Sequence, residues 1–510
     1  MSAPYPNHFR EALRQRRFVL TLELTTPPVG APAAAVDSLL AVARAVREEP
    51  RVAVVALTDR SSADRDLGSI DTGRWVADAS GKAPLIHWAG KDRSAADLGA
   101  DLRRAATLGL ENFLLITGDK VRHPPPDRPV RYLDAVNALH AARGFPPTAV
   151  LAAAVCPFKY REEDLLGQYL KAVKKLRAGA DLLITQIGWD MAKFEELHAF
   201  LARRGYEVPL MAELLHLTAS RARRLRRVGL PGVTITDDLM RLLEEEEATR
   251  DRGHAAAYRR LALQITGVRH MGYAGAQVSG LHTSAAVMTL LDAVERCERD
   301  YPNLASWREA WRGTLTGAGG RVVSVAPAGG FYIEKDRAAG GAGGVMPSSA
   351  ERAMFGAMDL IHRAAFADGA IGGRLLGGAL RRLDARTGLG GALLALERAT
   401  KGPLVGCASC GFCRLPQTAY VCPETCPKGL ANGPCGGTQE NRCEFGDREC
   451  IHARIYRISK DLGRLDDLEE VLIPPVPASA WDSCSWVTHF QEKGPEAIRL
   501  AGARGSRRPV

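Results

Sequence analysis

Long hydrophobic runs are missing from this sequence. Nowhere do the ~18 consecutive apolar residues needed for a membrane-spanning helix occur. The amino terminus, MSAPYPNHFREALRQRRFVL, is basic but lacks the apolar core and small-residue cleavage site of a secretory signal. A soluble, cytoplasmic protein without membrane association is therefore expected. Charge of one sign is also in short supply: 68 Lys and Arg against 58 Asp and Glu leave a net +10 over 510 residues. No RNP, finger or helix-turn-helix pattern accompanies the basic runs, such as Arg221 to Arg227, so they read as solvated helix faces and nucleic acid is not an expected partner. Cysteine is scarce over most of the chain, since eight of eleven fall between Cys407 and Cys450. The chain's length excludes a disulfide miniprotein, and in a reducing compartment clustered Cys are more often metal ligands than disulfides.

What is present is a long chain, 46% hydrophobic and 25% charged, too apolar for disorder and too long for one ordinary domain. Short apolar runs recur at Phe18 to Leu24, Val52 to Thr58, Leu85 to Ala89, Phe113 to Thr117, Val150 to Val155, Leu182 to Gln186, Pro209 to Leu214 and Ala276 to Gly280. Between them lie amphipathic stretches with apolar positions three and four apart, such as SAADLGADLRRAATLG and EEDLLGQYLKAVKKLRAGA. Strand starts every ~30 residues match a βα unit, and eight of them predict an α/β fold of the (β/α)8 TIM-barrel type. An open dinucleotide-binding sheet is disfavoured, because the first run leads into Thr25-Thr26-Pro27-Pro28 and not into G-x-G-x-x-G. The expected organisation is a barrel over residues 1–300, a Gly-rich linker over 301–345, a smaller helical, Cys-rich metal-binding domain over 346–500, and a basic tail over 501–510.

Catalytic groups of such a barrel collect at the carboxyl ends of its strands. Glu23 lies between Leu22 and Leu24, and Asp119 ends Leu115-Ile116-Thr117-Gly118-Asp119. A carboxylate within an apolar strand is desolvated, which raises its pKa and suits it to general acid work, although an ion pair at a loop would read the same way. His87 in Leu85-Ile86-His87-Trp88 is either a hydrogen-bonded core residue or part of the site. Gln186, after Thr185, offers an amide donor and acceptor to a heterocycle edge.

The segments TLELTTPP, PLIHWAGKD, LLITGD, DAVNAL, AAAVCPFKYREED and KAVKKLRAGADLLITQ resemble, in order and spacing, the barrel of the methylenetetrahydrofolate reductase family, over residues of about 15 to 300. The resemblance implies a flavoenzyme that reduces 5,10-methylenetetrahydrofolate to 5-methyltetrahydrofolate. It implies that Glu23 is the general acid toward N10, that Asp119 lies by the pterin and flavin N1, and that Gln186 binds the folate. Flavin contacts carry over to Thr58, His87, Thr117, Gly118, Tyr132, Tyr160 and Lys175. The chain departs from the family at several places: three residues instead of two separate Glu23 from Pro27, Thr117 stands where Arg is common, Cys156 where Tyr is common, and Trp189 where Phe is usual. The Thr117 and Cys156 changes leave FAD or FMN as the flavin.

The cysteines run Cys407-x2-Cys410-x2-Cys413-x8-Cys422-Pro-x2-Cys426-Pro-x7-Cys435-Gly-Gly, then Cys443 and Cys450. Such spacing suits a 4Fe-4S cluster or a tetrahedral zinc site, and eight thiolates suffice for two clusters. CGFCRLPQTAYVCPETCPKGLANGPCGG and the later SCSWVTHF resemble the Cys-rich C-terminal domain associated with these reductases. That module would relay electrons to flavin or dock a partner, with NAD(P)H or a redox protein as donor; a homo-oligomer is left open. Two other readings compete with reduction of the folate: methyl transfer from methyltetrahydrofolate to a corrinoid protein, and a non-catalytic Fe-S or zinc assembly subunit.

Overall fold

The computed structural model describes residues 5–59, 66–127, 129–145, 148–338, 345–367 and 369–501. Eight strands, β1 (Val19–Leu24), β2 (Val52–Leu57), β3 (Leu85–Ala89), β4 (Asn112–Ile116), β5 (Val150–Val155), β6 (Leu182–Thr185), β7 (Leu210–Leu215) and β8 (Gly275–Ser279), pair in parallel and in chain order. Pairing of β8 with β1 closes the barrel. Each strand is buried by the barrel lumen on one side and by helices on the other, which is why the runs are almost continuously apolar. Gly275 opens β8 where a Cβ would come 2.4 Å from Val19 O, so the β1–β8 seam closes at a residue without a side chain.

The amino-terminal end of the barrel is plugged. Helix His8–Arg14 inserts Phe9, Ala12 and Leu13 beneath Val54, Leu85, Leu114, Val150 and Met211. Asn7 caps that helix by accepting from Arg10 N, and its Nδ2 donates to Asn112 Oδ1 at 2.9 Å. Phe9 is fully buried, and truncating it to Ala would cost about 3–5 kcal/mol. With one end sealed, the opposite end, where the strands terminate, is left for a site.

The connection after the barrel is more ordered at its start than a Gly-rich linker. Helix Leu304–Thr314 packs on helix His254–His270, with Trp307 buried and its indole N–H donating to Leu263 O at 2.7 Å. The Gly run at 340–344 and the basic tail from 502 onward lie outside the described residues.

Beyond the connection come helices Ser349–Ala365, Ile371–Leu380 and Gly388–Val405, an irregular cysteine segment, helix Ile451–Asp461, and a two-stranded sheet of Val471–Leu472 with Ile498–Arg499. This region lies against helix Glu162–Ala178 of the barrel. Gln168 Nε2 donates to Cys435 O at 2.6 Å, Asp164 Oδ2 accepts from Asn441 N at 2.6 Å, and Tyr456 OH donates to Glu162 Oε1 at 2.9 Å. The helix is consequently buried on its polar as well as its apolar face, including Asp164, Gln168, Lys171, Lys174 and Lys175. Among the described residues no helix is long and apolar enough to cross a membrane.

Candidate active site

Inside the open end of the barrel, three neighbouring strands bring polar side chains together. Gln277 of β8 pairs in register with Thr21 of β1 on one side and Glu213 of β7 on the other. Its Nε2 donates to Glu23 Oε2 at 3.1 Å and lies 3.5 Å from His87 Nε2, and His87 Nδ1 is 3.9 Å from Glu23 Oε2. Glu23 and His87, singled out separately in the sequence, therefore belong to one cluster.

Burial dominates its electrostatics. Loss of solvent pushes the Glu23 carboxyl up to about 7, against the hydrogen bond from Gln277. The same loss drives the His87 imidazole down to about 4, so it is neutral near pH 7. Glu213 is pushed well above the usual carboxylate range by burial and by the nearby charge of Glu23. The cluster is thus a set of neutral or half-protonated groups in an apolar lumen, able to give up a proton at neutral pH.

A second group forms on the loop after β4. Gly118 takes φ +86°, where a Cβ would also meet Lys91 Cβ at 2.9 Å. Thr117 Oγ1 accepts from Ala135 N at 3.1 Å, fixing the loop to the next helix. Tyr132 OH accepts from Val121 N at 3.1 Å and donates to Asp119 O at 3.4 Å. Asp119 stands at the solvent edge of this corner; the protein packed around it raises its carboxyl pKa, with Glu444 adding to the rise and Lys428 and Lys91 opposing it.

Lys428 and Glu444 come from the Cys-rich region. Lys428 Nζ donates to Gly118 O at 2.8 Å and to Glu444 Oε2 at 2.5 Å, and Glu444 Oε1 accepts from Lys120 N at 2.7 Å. Cys435 Sγ is 3.5 Å from the same Glu444 carboxylate. The Gly118-Asp119-Lys120 turn is therefore clamped from outside the barrel, one carboxylate away from a cysteine.

The remaining expected residues are engaged separately. Thr58 Oγ1 accepts from Thr26 N at 3.2 Å, tying the loops after β1 and β2. Tyr160 OH donates to Asp190 Oδ2 at 3.1 Å, and burial raises its pKa far above the usual value. Lys175 Nζ donates to Ala154 O at 2.5 Å, and burial, with Lys171 beside it, pushes it down to about 7. Gln186 ties the loop after β6 to the one after helix Ala219–Val228, donating to Pro231 O at 3.0 Å and accepting from Ile187 N at 2.8 Å.

The eight cysteines divide in two. Cys407, Cys410, Cys413 and Cys422 line one small cavity, closed by Glu397, Arg414 and Glu424. Burial pushes the Cys410 thiol up to about 12 and that of Cys422 up to about 11, while Lys401 Nζ lies 3.7 Å from Cys413 Sγ. Cys426, Cys435, Cys443 and Cys450 form the other set, each close enough to feel the charge of another member. Among the described residues no three His, Cys, Asp or Glu side chains converge tightly enough to hold a single metal ion.

Two members of the barrel cluster, Glu213 and Gln277, did not stand out from the sequence. Glu213 carries the signal that marked Glu23, a carboxylate inside an apolar strand, in Met211-Ala212-Glu213-Leu214-Leu215. The Lys428–Glu444 clamp has no local signal, because it depends on how the two regions dock.

Two family models match the chain: "Methylenetetrahydrofolate reductase" over residues 8–291 and "Methylene-tetrahydrofolate reductase C terminal" over residues 388–478. No curated protein matches it. Among solved structures, the chain is similar to a protein from Clostridium thermocellum described as uncharacterized and as binding two copies of 5-methyl-5,6,7,8-tetrahydrofolic acid, with 12% identity over 57% of this chain and 98% of that one and a TM-score of 0.43. It is also similar to a 2,3-dimethylmalate lyase of the PEP mutase/isocitrate lyase superfamily, with 13% identity over 58% of this chain and 89% of that one and a TM-score of 0.31. An oxaloacetate acetylhydrolase shows 12% identity over 58% of this chain and 86% of that one, with a TM-score of 0.33.

Proposed function

We propose, from the premise that this chain belongs to the methylenetetrahydrofolate reductase family, that its barrel reduces 5,10-methylenetetrahydrofolate to 5-methyltetrahydrofolate with a bound flavin, FAD or FMN, and that its Cys-rich region holds two 4Fe-4S clusters that feed the flavin electrons. The observation that carries the reading is Glu23: a carboxyl desolvated to about 7 at the open end of the barrel, held by Gln277, is protonated often enough at neutral pH to serve as an acid.

In this reading Glu23 delivers its proton to N10 of the folate, which opens the imidazolidine ring and leaves a cationic iminium at the methylene carbon. The Asp119 carboxylate, at the loop edge, stabilises that cation. Gln186 turns its amide from Pro231 and Ile187 to the pterin edge. His87, neutral and 3.9 Å from Glu23, adds no charge that would hold Glu23 deprotonated. The residues that would hold flavin are Thr58, His87, Thr117, Gly118, Asp119, Tyr132, Tyr160 and Lys175. The donor set fits: neutral hydroxyl and imidazole groups, a residue without a side chain at Gly118, and Lys428, paired with Glu444, beside the loop where Thr117 replaces Arg. When bound, flavin supplies the hydride that reduces the methylene carbon.

For the cysteines, Cys407-x2-Cys410-x2-Cys413 with the remote, Pro-followed Cys422 around one cavity is the pattern of a 4Fe-4S cluster. Bound metal would reverse the upward thiol shifts, since ligation takes thiolates. Cys435, beside the Glu444 carboxylate that clamps the β4 loop, brings the second set nearest to the proposed flavin corner.

The test is an anaerobic preparation of the full chain, with absorption spectrum, iron and sulfide content, and a single-turnover assay of the dithionite-reduced protein with 5,10-methylenetetrahydrofolate. Flavin bands, a broad iron-sulfur shoulder and formation of 5-methyltetrahydrofolate are expected. A colourless, iron-free protein without turnover would overturn the reading.

A further inference from the structure

Two buried oxygens in the barrel cluster lack a hydrogen-bond partner, Glu213 Oε1 and Gln277 Oε1. Their residues sit opposite each other on β7 and β8 and are 5% and 1% exposed. An ionised carboxylate oxygen and an amide carbonyl oxygen are both acceptors, so these two atoms cannot satisfy each other, and a buried acceptor left unpaired is destabilising. One proton resolves both, because a carboxylic acid is a donor to an amide carbonyl. The far end of the same amide is committed, with Nε2 donating to Glu23 Oε2 at 3.1 Å. A Gln amide fits its envelope in either of two orientations, and only one presents NH2 to Glu23.

We propose that Glu213 is kept as a neutral carboxylic acid whose O–H donates to Gln277 Oε1, locking the amide so that its NH2 group holds Glu23. Glu213 is then a positioning residue for the proton donor; its effect on turnover rests on the reading of Glu23 as the acid, whereas its protonation does not. The titratable groups around it are Glu23 on β1 and His87 on β3, and His87 is neutral near pH 7, so it supplies no positive charge to hold a second carboxylate. Burial and the Glu23 charge favour the protonated form and outweigh hydrogen bonds with Gln277 and Ser279, which favour the ionised one. Ser279 on β8 also faces the Glu213 carboxyl.

Infrared spectroscopy of the full chain tests the protonation directly. A neutral-carboxyl C=O band should persist as pH is raised through 8 and be absent from Glu213→Gln. A spectrum in which Glu213→Gln removes only carboxylate absorption would overturn the proposal. The pH profile of turnover tests the positioning. Glu213→Gln retains a donor to Gln277 and should leave the alkaline limb in place. Glu213→Leu frees the amide to present its carbonyl to Glu23 and should move the limb to higher pH. A downward shift of the limb in Glu213→Gln, as removal of a negative charge would cause, would also overturn it. If Glu23 is not the acid, neither variant moves the limb, and the infrared band alone decides whether Glu213 is protonated.

Discussion

The barrel and the Cys-rich region are held together by different means. The barrel is closed by eight strands packed between apolar layers, and its polar groups are confined to the open end. The cysteine segment from Cys407 to Cys450 has, as regular elements, only short turns of 3-10 helix, and its later part is held by polar side chains that reach across from the barrel. Lys159 Nζ donates to Gly436 O at 2.8 Å, Lys171 Nζ to Gly433 O at 3.0 Å, and Gln168 Nε2 to Cys435 O at 2.6 Å. The first kind of order is generic and strong; the second depends on individual bonds and on whatever the thiols bind. In the proposed reading the proton chemistry belongs to the self-sufficient half, while the Cys-rich half depends on its neighbour for part of its conformation.

The largest expected effect separates the halves by function. Glu23→Gln should lower kcat for folate reduction by about 10^2- to 10^4-fold, the range for loss of a general acid, with the iron content unchanged. An unaffected kcat would move the acid elsewhere.

Next comes the seam between the halves. Lys428 and Glu444 are almost fully buried, so Lys428→Met leaves a buried carboxylate without its cation and should cost about 3–5 kcal/mol in denaturant unfolding. Pairing it with Glu444→Leu should recover most of that loss. Equal destabilisation by the single and double variants would mean that the pair does not clamp the β4 loop.

A smaller effect compares pH responses of opposite sign. Glu23 has a folded-state pKa raised to about 7 from 4.5, so its penalty is absent below about 4.5 and complete above about 7. Glu23→Gln should therefore be more stable than the parent by about 2–3 kcal/mol at pH 8 and show little difference near pH 4.5. Lys174, beneath the Cys-rich region, is pushed down by burial to about 7 from 10.5, so its penalty is complete below about 7 and vanishes above 10.5. Lys174→Met should be more stable than the parent at pH 6, with the difference closing as pH rises. Chemical denaturation at three pH values measures both; a stability gain that changes with pH in the same direction for the two variants would contradict the assignment.

The strands were legible because parallel barrel strands are buried on both sides. Leu85–Ala89 and Val150–Val155 lie where the apolar runs placed them, and the other strands differ by a residue at one end or both. Glu23 was legible for the converse reason, a charge interrupting such a run. Glu213 carried the same mark, but its meaning depends on Gln277 across the β7–β8 pairing, which strand order alone does not provide. The helix after Arg161 was legible as amphipathic, yet its polar face is buried as well. Lys171 pairs with Asp134 at 2.6 Å and reaches Gly433, a contact from a segment far along the chain that leaves no local pattern. Spacing likewise pointed to metal at the cysteines without dividing them; the division into Cys407, Cys410, Cys413 and Cys422 against the later four emerges from the cavity they share.

The most direct test of the central claim is single-turnover oxidation of the pre-reduced full chain by 5,10-methylenetetrahydrofolate, followed at the flavin band in the parent, Glu23→Gln and Cys410→Ser. The barrel-centred account predicts that the rate collapses in Glu23→Gln and is unchanged in Cys410→Ser, whose defect is confined to resupply of electrons. A normal rate in Glu23→Gln with a collapsed rate in Cys410→Ser would contradict it.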